Sequence, residues 1–443
     1  MNYNSASNTN ANIGSRHVAT AKHSYYFQAQ DSAHPLVKIS NMGADEYIQI
    51  GRWKARYADI RNDYPMKRAD NLFDKLISDK NLKAAIDEVN RSHRWLNGHK
   101  PNQMTLWVEK TKWDRIKELR KIITDGFVQS PPHIKERYDA NARKWRTISE
   151  PLLWPDQYVH HALIQTIQPV MMRGMDRYCC GSIRGRGTHY AKRAIEKWMN
   201  CDTKGTRYCF SCDIRHFYDS LKPEIVMNRM RSLIKDARVL DLISRIVKDG
   251  IKIGAYPSQW FANTTLQPLD VIIRQSGLCS HYVRYMDNIT IFGSNKRKLR
   301  KLKAIVEKWL NDHELRLKGD WQIFPVVSDY QPKGRMPDAV GYRYGRGYTL
   351  PRKHNLLRIK RGIRRYRKRT TSGRRIPPRM ANSILSRLGQ LKHCNNMNIY
   401  RMIFKGEKII RALKNIVREQ RKELSTWNMY LEQEPAAARS KTS

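Results

Sequence analysis

Asp213 closes a near-continuous apolar run over 207–213. Asp287 sits between Tyr282–Tyr285 and Ile289–Phe292, two short runs of β-branched and aromatic residues. The first pattern predicts a buried central strand ending in a carboxylate. The second predicts two strands folded back on each other through Met286, Asp287 and Asn288. Taken singly, an Asp-Asn pair in a hairpin is ordinarily a turn, and an aspartate after a strand is ordinarily a helix cap. Brought together on rigid β-structure, the two become oxygen donors of the kind magnesium takes. Phosphoryl transfer from a nucleoside triphosphate uses two divalent ions roughly 3.5–4 Å apart, one activating the nucleophile and one holding the triphosphate.

The elements that must position this pair are read from periodicity. Helices are predicted over 71–77, 82–89, 107–123, 156–170, from Ser220 through Met230, and over 258–272 and 296–313. Strands are predicted over 144–148, 207–213, 282–285, 289–292, 315–325 and 339–344. Asp219 reads as a cap of the helix that follows it. The loop Gly181-Ser-Ile-Arg-Gly-Arg-Gly187 interleaves glycines with Arg184 and Arg186, a composition that brings backbone and guanidinium groups close to phosphates. It lacks P-loop spacing, and a plain solvated turn has the same composition.

The chain has 443 residues and is 40% hydrophobic, enough for two or three subdomains around a sizeable core. Its 84 Lys and Arg against 40 Asp and Glu leave a formal charge of +44, which calls for a polyanionic partner, nucleic acid above all. Basic residues run along the whole sequence, no apolar run reaches the ~20 residues that span a bilayer, and no hydrophobic signal core opens the chain. The expectation is a cytoplasmic protein without a membrane partner. Seven cysteines in such a chain do not predict disulfides. Cys209 and Cys212 fall inside one predicted strand, three apart and so on opposite faces, which argues against zinc. Residues 352–379 hold thirteen Lys and Arg among Leu, Ile and Tyr, giving a helix with one apolar and one broad basic face. A merely solvated basic helix has the same pattern.

Over roughly residues 70–430 the order of motifs resembles the reverse transcriptase family. Asp213 followed five residues later by Tyr218, then Gly250-Ile-Lys-Ile-Gly-Ala-Tyr-Pro-Ser-Gln-Trp-Phe-Ala-Asn263, then Tyr285-Met-Asp-Asn288 carry the likeness. The Ile253-Gly254 and Ser258-Gln259 forms look closest to bacterial enzymes of diversity-generating elements and defence groups. Group II intron enzymes typically have Gln-Gly and Ser-Pro there. Ala339-Val-Gly-Tyr-Arg-Tyr344 falls at the primer grip, and Leu388-Gly-Gln-Leu-Lys-His393 resembles a thumb segment.

The resemblance implies an α/β (α+β) right-hand polymerase with fingers, β-sheet palm and helical thumb. The expected division is a flexible arm at 1–45, helical region and fingers at 46–206, palm at 207–345, basic thumb at 346–432 and a tail at 433–443. Asp213 and Asp287 would be catalytic and hold two Mg²⁺ ions, Mn²⁺ being an alternative, with Asn288 and the Ile214 backbone carbonyl as weaker ligands. Tyr218 would act as sugar gate. Arg146, Arg184, Gly254, Ser258 and Gln259 would bind the nucleotide, with Lys318 as a candidate proton donor to the leaving pyrophosphate. Nucleic acid would lie along Gly185, Arg186, Arg352, Lys353, Arg358, Lys360, Arg361, Arg364, Arg365, Arg367 and Lys368. The implied partners are an RNA template, a dedicated noncoding RNA in the family pattern, a DNA or RNA primer and dNTPs, with an accessory protein or oligomer as a further option. Asn288 departs from the family, which carries a second aspartate there. An amide oxygen can still ligate, but the site loses one negative charge. No RNase H, maturase or endonuclease-like extension is expected after the thumb.

Overall fold

A computed structural model describes residues 67–96, 100–139, 144–329, 331–395, 401, 403–404 and 408–433. The arm expected at 1–45, the start of the helical region at 46–66 and the tail from 434 onward lie outside the described residues.

The described N-terminal part is mainly helical: α1 (Phe73–Leu76), α2 (Asp79–His93), the strand pair β1 (Trp95–Leu96) and β2 (Lys100–Pro101), α3 (Gln103–Lys110) and α4 (Lys112–Thr124). Ser78 caps α2 by accepting the Asn81 N–H, and Leu82, Ala85, Ile86 and Val89 form its buried stripe. The single helix predicted over 107–123 is two. Thr111 leaves helical geometry at φ −110°, ψ 28°, and the axis breaks there. An antiparallel hairpin follows, β3 (His133–Asp139) against β4 (Lys144–Glu150), with Tyr138 opposite Trp145 and Arg137 opposite Arg146. Only β4 is predicted from sequence. β3 is almost wholly exposed and has no apolar alternation to announce it. A π-helical turn, Leu153–Gln157, leads into α5 (Tyr158–Met172), which is buried on most sides.

The central sheet is assembled from β5 (Cys179–Cys180), β6 (Tyr208–Asp213), β7 (His281–Tyr285), β8 (Asn288–Gly293) and β9 (Gln322–Pro325), in the order β5-β7-β8-β6-β9. Between these strands run α6 (Thr188–Cys201), α7 (Phe217–Ser220), α8 (Pro223–Leu233), α9 (Ala237–Val247), α10 (Tyr256–Thr265), α11 (Gln267–Gln275) and α12 (Lys296–Asp312). Register sets Asp213 opposite Asn288, Ser211 opposite Thr290 and Cys209 opposite Phe292. Strand alternation therefore turns Cys209, Ser211 and Asp213 to one face, which α6 covers through Ala191, Ile195 and Trp198. Phe210, Cys212, Tyr282 and Arg284 turn to the other face, where α11 supplies Asp270.

Several predicted bounds shift for identifiable reasons. Helix 258–272 breaks at Leu266, after which Pro268 starts a new helix. The helix expected from Ser220 begins at Pro223 with Lys222 at its cap position, while Ser220 and Asp219 belong to the short α7. Asp219 is exposed beside His216, 4.0 Å away, and does not cap α8. In the strand expected over 315–325 only Gln322–Pro325 pairs regularly. Upstream, Leu317 meets Ile214 in an isolated bridge. The strand expected over 339–344 is interrupted by Val340 and Gly341, at φ 46° and 93°, which fold β10 (Asp338–Ala339) onto β11 (Tyr342–Tyr344). β12 (Thr349–Pro351) completes that small sheet.

The C-terminal helices α13 (Lys353–Thr371), α14 (Pro378–Leu391) and α15 (Ile409–Gln433) pack around Ile359, Ile363, Ile384, Leu388 and Leu413. The basic helix predicted to continue through Arg379 stops at Thr371, where Gly373 (φ 63°) and then Pro377 end it.

One loop ties β4 to this framework. Ser149 N–H donates to the Ile253 carbonyl at 2.8 Å. The next residue, Gly254, has φ 119°, and a Cβ on it would fall 2.4 Å from the Ser149 carbonyl oxygen. No side chain fits that approach. Gly254→Ala is expected to cost about 3 kcal/mol through strain and overpacking, read from urea denaturation. A variant as stable as the parent would mean that the loop and hairpin are not held in contact.

Candidate active site

Asp213 ends β6, and Asp287 occupies the turn between β7 and β8, where left-handed Met286 (φ 56°) reverses the chain. The two carboxylates face each other. Burial first, and then Asp287, push the Asp213 carboxyl up to about 7, with Lys318 acting in the opposite direction. Asp213 Oδ1 is closed off from solvent and has no hydrogen-bond partner. Lys318 Nζ stands 4.0 Å from Asp213 Oδ2 and 2.7 Å from Asp320 Oδ2, and its backbone N–H donates to the Asp213 carbonyl at 2.8 Å. Arg215 N–H, in turn, bonds the Arg316 carbonyl, so these two bonds of the bridge bypass the Ile214 carbonyl. Asn288 is exposed, and its amide donates to Asp287 Oδ1 at 3.2 Å.

An uncommitted buried oxygen facing a second carboxylate fits a divalent cation, which would relieve the charge that raises the Asp213 pKa. Among the described residues no group of three or more His, Cys, Asp or Glu is placed to hold a metal ion. The acidic part of the centre therefore rests on the aspartate pair. Cys209 and Cys212 lie on opposite faces of β6, with burial pushing both thiols above their ordinary range.

Tyr218 is half-buried beside the pair. Burial and then Asp287 hold its phenol above the ordinary tyrosine range, and Arg146 opposes them, so hairpin and carboxylates act on one ring. Arg146 itself is held by Asp139 through a 2.9 Å bond. Arg184 is exposed within electrostatic reach of Glu88. Gly185 adopts φ 80°, and Arg186 turns back to donate to the Asp176 carbonyl at 2.9 Å, closing the loop rather than projecting from it. Ser258 is buried and Gln259 half-buried. His161, on α5, stacks on Tyr256 with ring centroids 4.1 Å apart.

The residue that sequence reasoning missed is Arg284. Fully buried on β7, it makes a two-pronged contact with Asp270 (2.7 and 2.6 Å), and donates to Asn263 Oδ1 (3.0 Å) and to the Met286 carbonyl (2.9 Å). Asn263 donates in turn to the Gly181 carbonyl at 3.0 Å, and Met286 N–H to the Cys180 carbonyl at 3.2 Å. One guanidinium thus joins the hairpin turn, the 250–263 segment and the Gly181 loop. Burial alone would lower its pKa, but Asp270 overrides that and raises it well above the ordinary value. A signal was present: a lone arginine inside an apolar strand requires a buried anion.

The basic C-terminal residues sort into two groups. Arg352 donates to Asp338 at 2.5 Å, and Arg367 to the Ile403 and Phe404 carbonyls at 2.9 and 3.4 Å, so both brace the protein itself. Lys353, Lys360, Arg361, Arg364, Arg365 and Lys368 are exposed on α13, and Arg358 is half-buried.

Residues 135–320 match the family model described as reverse transcriptase (RNA-dependent DNA polymerase). The chain carries a reverse transcriptase domain. Asp213, Tyr218, the 250–263 segment and the Asp287 hairpin all fall inside it, whereas α13, α14 and α15 lie beyond it. Protein YkfC of Escherichia coli (strain K12) is 24% identical over 140 residues, covering 31% of this chain and 36% of YkfC. Among solved structures, apo telomerase from Candida tropicalis is similar over 53% of this chain and 52% of that chain, at 12% identity and TM-score 0.36. Telomerase from Candida albicans with the TWJ fragment of telomeric RNA is similar over 66% and 64%, at 11% and 0.39. The chain thus spans about a third of YkfC and between half and two thirds of these telomerase chains.

Two outcomes follow for the reverse transcriptase domain. Arg284→Met strands Asp270 as an unpaired buried charge and is expected to cost about 3–5 kcal/mol in urea denaturation; a loss under 1 kcal/mol would show that the clamp does not hold the turn. Asp213 favours its protonated form in the native state, so its contribution is greatest below the unfolded value of 3.8 and is lost as pH rises through about 7. After discounting for solvent screening, Asp213→Asn is expected to gain roughly 1–2 kcal/mol over the parent at pH 8 with chelator, and nearly nothing at pH 4. Melting curves at the two pH values decide it, and equal differences at both would sink the assignment.

Proposed function

We propose that the chain is an RNA-directed DNA polymerase, adding dNTPs to a primer 3′-hydroxyl on an RNA template. The observation that carries this reading is the Asp213–Asp287 pair, with its unpartnered buried oxygen, set beside Tyr218 inside the reverse transcriptase domain. Asp213 and Asp287 would hold two Mg²⁺ ions, with the Ile214 carbonyl and the Asn288 side chain as lesser ligands. Bound there, the ions supply Lewis-acid activation of the 3′-hydroxyl and charge neutralisation on the triphosphate. Tyr218 fills the space a ribose 2′-hydroxyl needs and so selects deoxynucleotides. Arg146 and the Gly181–Gly187 loop would approach the triphosphate from the fingers, and Lys318 would donate a proton to the departing pyrophosphate. In this reading fingers, palm and thumb would take the division expected from sequence, and α13 would track the primer–template backbone through Lys360, Arg361, Arg364, Arg365 and Lys368.

In this reading the protein works in the bacterial cytoplasm on a dedicated structured RNA, in anti-phage defence. The Ile253-Gly254 and Ser258-Gln259 motif style supports that setting, and target diversification shares it. A variable-repeat cassette beside the gene would favour diversification, and a defence island would favour immunity.

With Mg²⁺, dNTPs and primed RNA the purified protein is expected to make DNA, and Asp213→Ala or Asp287→Ala to reduce synthesis at least about 10³-fold. Tyr218→Ala is expected to admit ribonucleotides. Asn288→Asp restores the missing charge and is expected to lower the Mg²⁺ concentration needed for half-maximal synthesis. Synthesis undiminished in both alanine variants would remove the site assignment. A parent inert with both Mg²⁺ and Mn²⁺, but binding RNA tightly, would make the chain a non-catalytic RNA scaffold, the reading that Asn288 favours.

A further inference from the structure

The second basic helix, α12, has no part in the chemistry above. Its sequence Lys-Arg-Lys-Leu-Arg-Lys-Leu-Lys opens seventeen residues in which seven are Lys or Arg and two, Glu307 and Asp312, are acidic. The apolar stripe Leu299, Leu302, Val306, Trp309 and Leu310 is buried at 0–6% exposure, so the cations are turned outward. Arg297, Lys298, Arg300 and Lys308 are all exposed. Lys303 pairs with Glu307 one turn on and lies 4.8 Å over the Trp321 ring.

The helix sits on the far side of the sheet from the carboxylates. It packs against α11, and α11 covers the face that carries Tyr282 and Arg284. Phe210, on that same face, meets Trp321 at a centroid distance of 6.5 Å. Asp213 belongs to the opposite face by strand alternation. The aspartate pair and α12 thus belong to opposite faces of the sheet.

We propose that this outer face of α12 docks the phosphate backbone of a double-helical RNA element, a second RNA surface separate from the catalytic cleft. The inference rests on the reading of the chain as an RNA-handling protein. From Arg297 to Lys308 the face extends about 16 Å at about 1.5 Å per residue, room for several phosphates. The helix's own aromatic, Trp309, is buried, and the neighbouring Trp321 ring, 37% exposed, lies beneath Lys303, so the face offers cations rather than an open stacking platform, which favours duplex over single strand. The helix itself carries no exposed large apolar residue to enter a lipid headgroup layer, which disfavours a membrane.

The test uses the full chain with Arg297, Lys298, Arg300 and Lys308 all changed to Gln, and a blunt 20-base-pair RNA duplex as probe. Relative to the parent, the variant is expected to bind the duplex at least about tenfold more weakly at 0.15 M salt. Its log–log salt slope is expected to fall by about 3.6, at about 0.9 for each of the four lost phosphate contacts. DNA synthesis on a short primed RNA stays within about twofold. A companion variant, Lys298→Arg with Lys308→Arg, retains parental binding. Unchanged affinity and slope in the Gln variant would overturn the proposal, as would equal loss in the Arg companion. So would a variant that loses binding only to phosphatidylserine vesicles. A parent that binds duplex through α12 but extends no primer overturns the polymerase reading alone, so the two failures are distinguishable.

Discussion

The Arg284–Asp270 pair is the constraint on which the candidate site depends. A charged pair with no solvent exposure is a poor investment for stability alone, because an apolar pair of similar volume packs as well without the desolvation cost. What an apolar pair lacks is direction. The guanidinium plane fixes the angle between β7 and α11, and its remaining donors reach the Met286 carbonyl and Asn263. The Met286 carbonyl is the last peptide oxygen before Asp287. Its capture sets the orientation of the turn, and with it where the carboxylate can point. Asn263 passes the same constraint to the Gly181 loop.

That rigidity is needed because the site itself is electrostatically unfavourable. Burial first, and repulsion from Asp287 after it, raise the Asp213 carboxyl to about 7. A flexible hairpin would relax by swinging Asp287 into water. The clamp beneath, the Cys180 contact to Met286, and the backbone bond from Lys318 to Asp213 prevent that relaxation. The strain is then available to whatever cation enters, which is the usual relation between a destabilised site and the framework around it. Asn288 fits the same balance. A third carboxylate at the tip would increase the repulsion, whereas the amide donates a hydrogen bond to Asp287 and lowers it.

Much of this was legible in the sequence, and the parts that were not share a physical cause. β6, β7 and β8 are buried strands whose β-branched and aromatic runs announce them, and Asp213 and Asp287 stand at their ends. β3 was invisible because a two-stranded ribbon exposed on both faces has no alternation to display. The helix breaks at Thr111 and Leu266 left the apolar period undisturbed, so periodicity ran straight through them. Arg284 was missed because its partner Asp270 lies on another element, and no spacing rule links a strand to a helix across a fold.

Charge counting has the same limitation, and here the structure adds the most. A formal +44 says that a polyanion is near, but it does not say which cations face it. Arg186 holds the Asp176 carbonyl, Arg274 holds Asp176 and the Tyr282 carbonyl, and Arg367 holds the Ile403 carbonyl. These arginines add to the formal charge yet turn donors inward, onto backbone carbonyls and, for Arg274, onto the Asp176 carboxylate as well, contacts to which a five-donor fork is suited. The exposed cations of α12 and α13 differ in setting: each lies on a helix whose apolar stripe is buried, which turns the basic side chains toward solvent. Partner assignment therefore follows from where each donor points. By that criterion, among the described residues, α12 and α13 are the two helices proposed to face a polyanion, one on the back of the sheet and one beyond the matched domain.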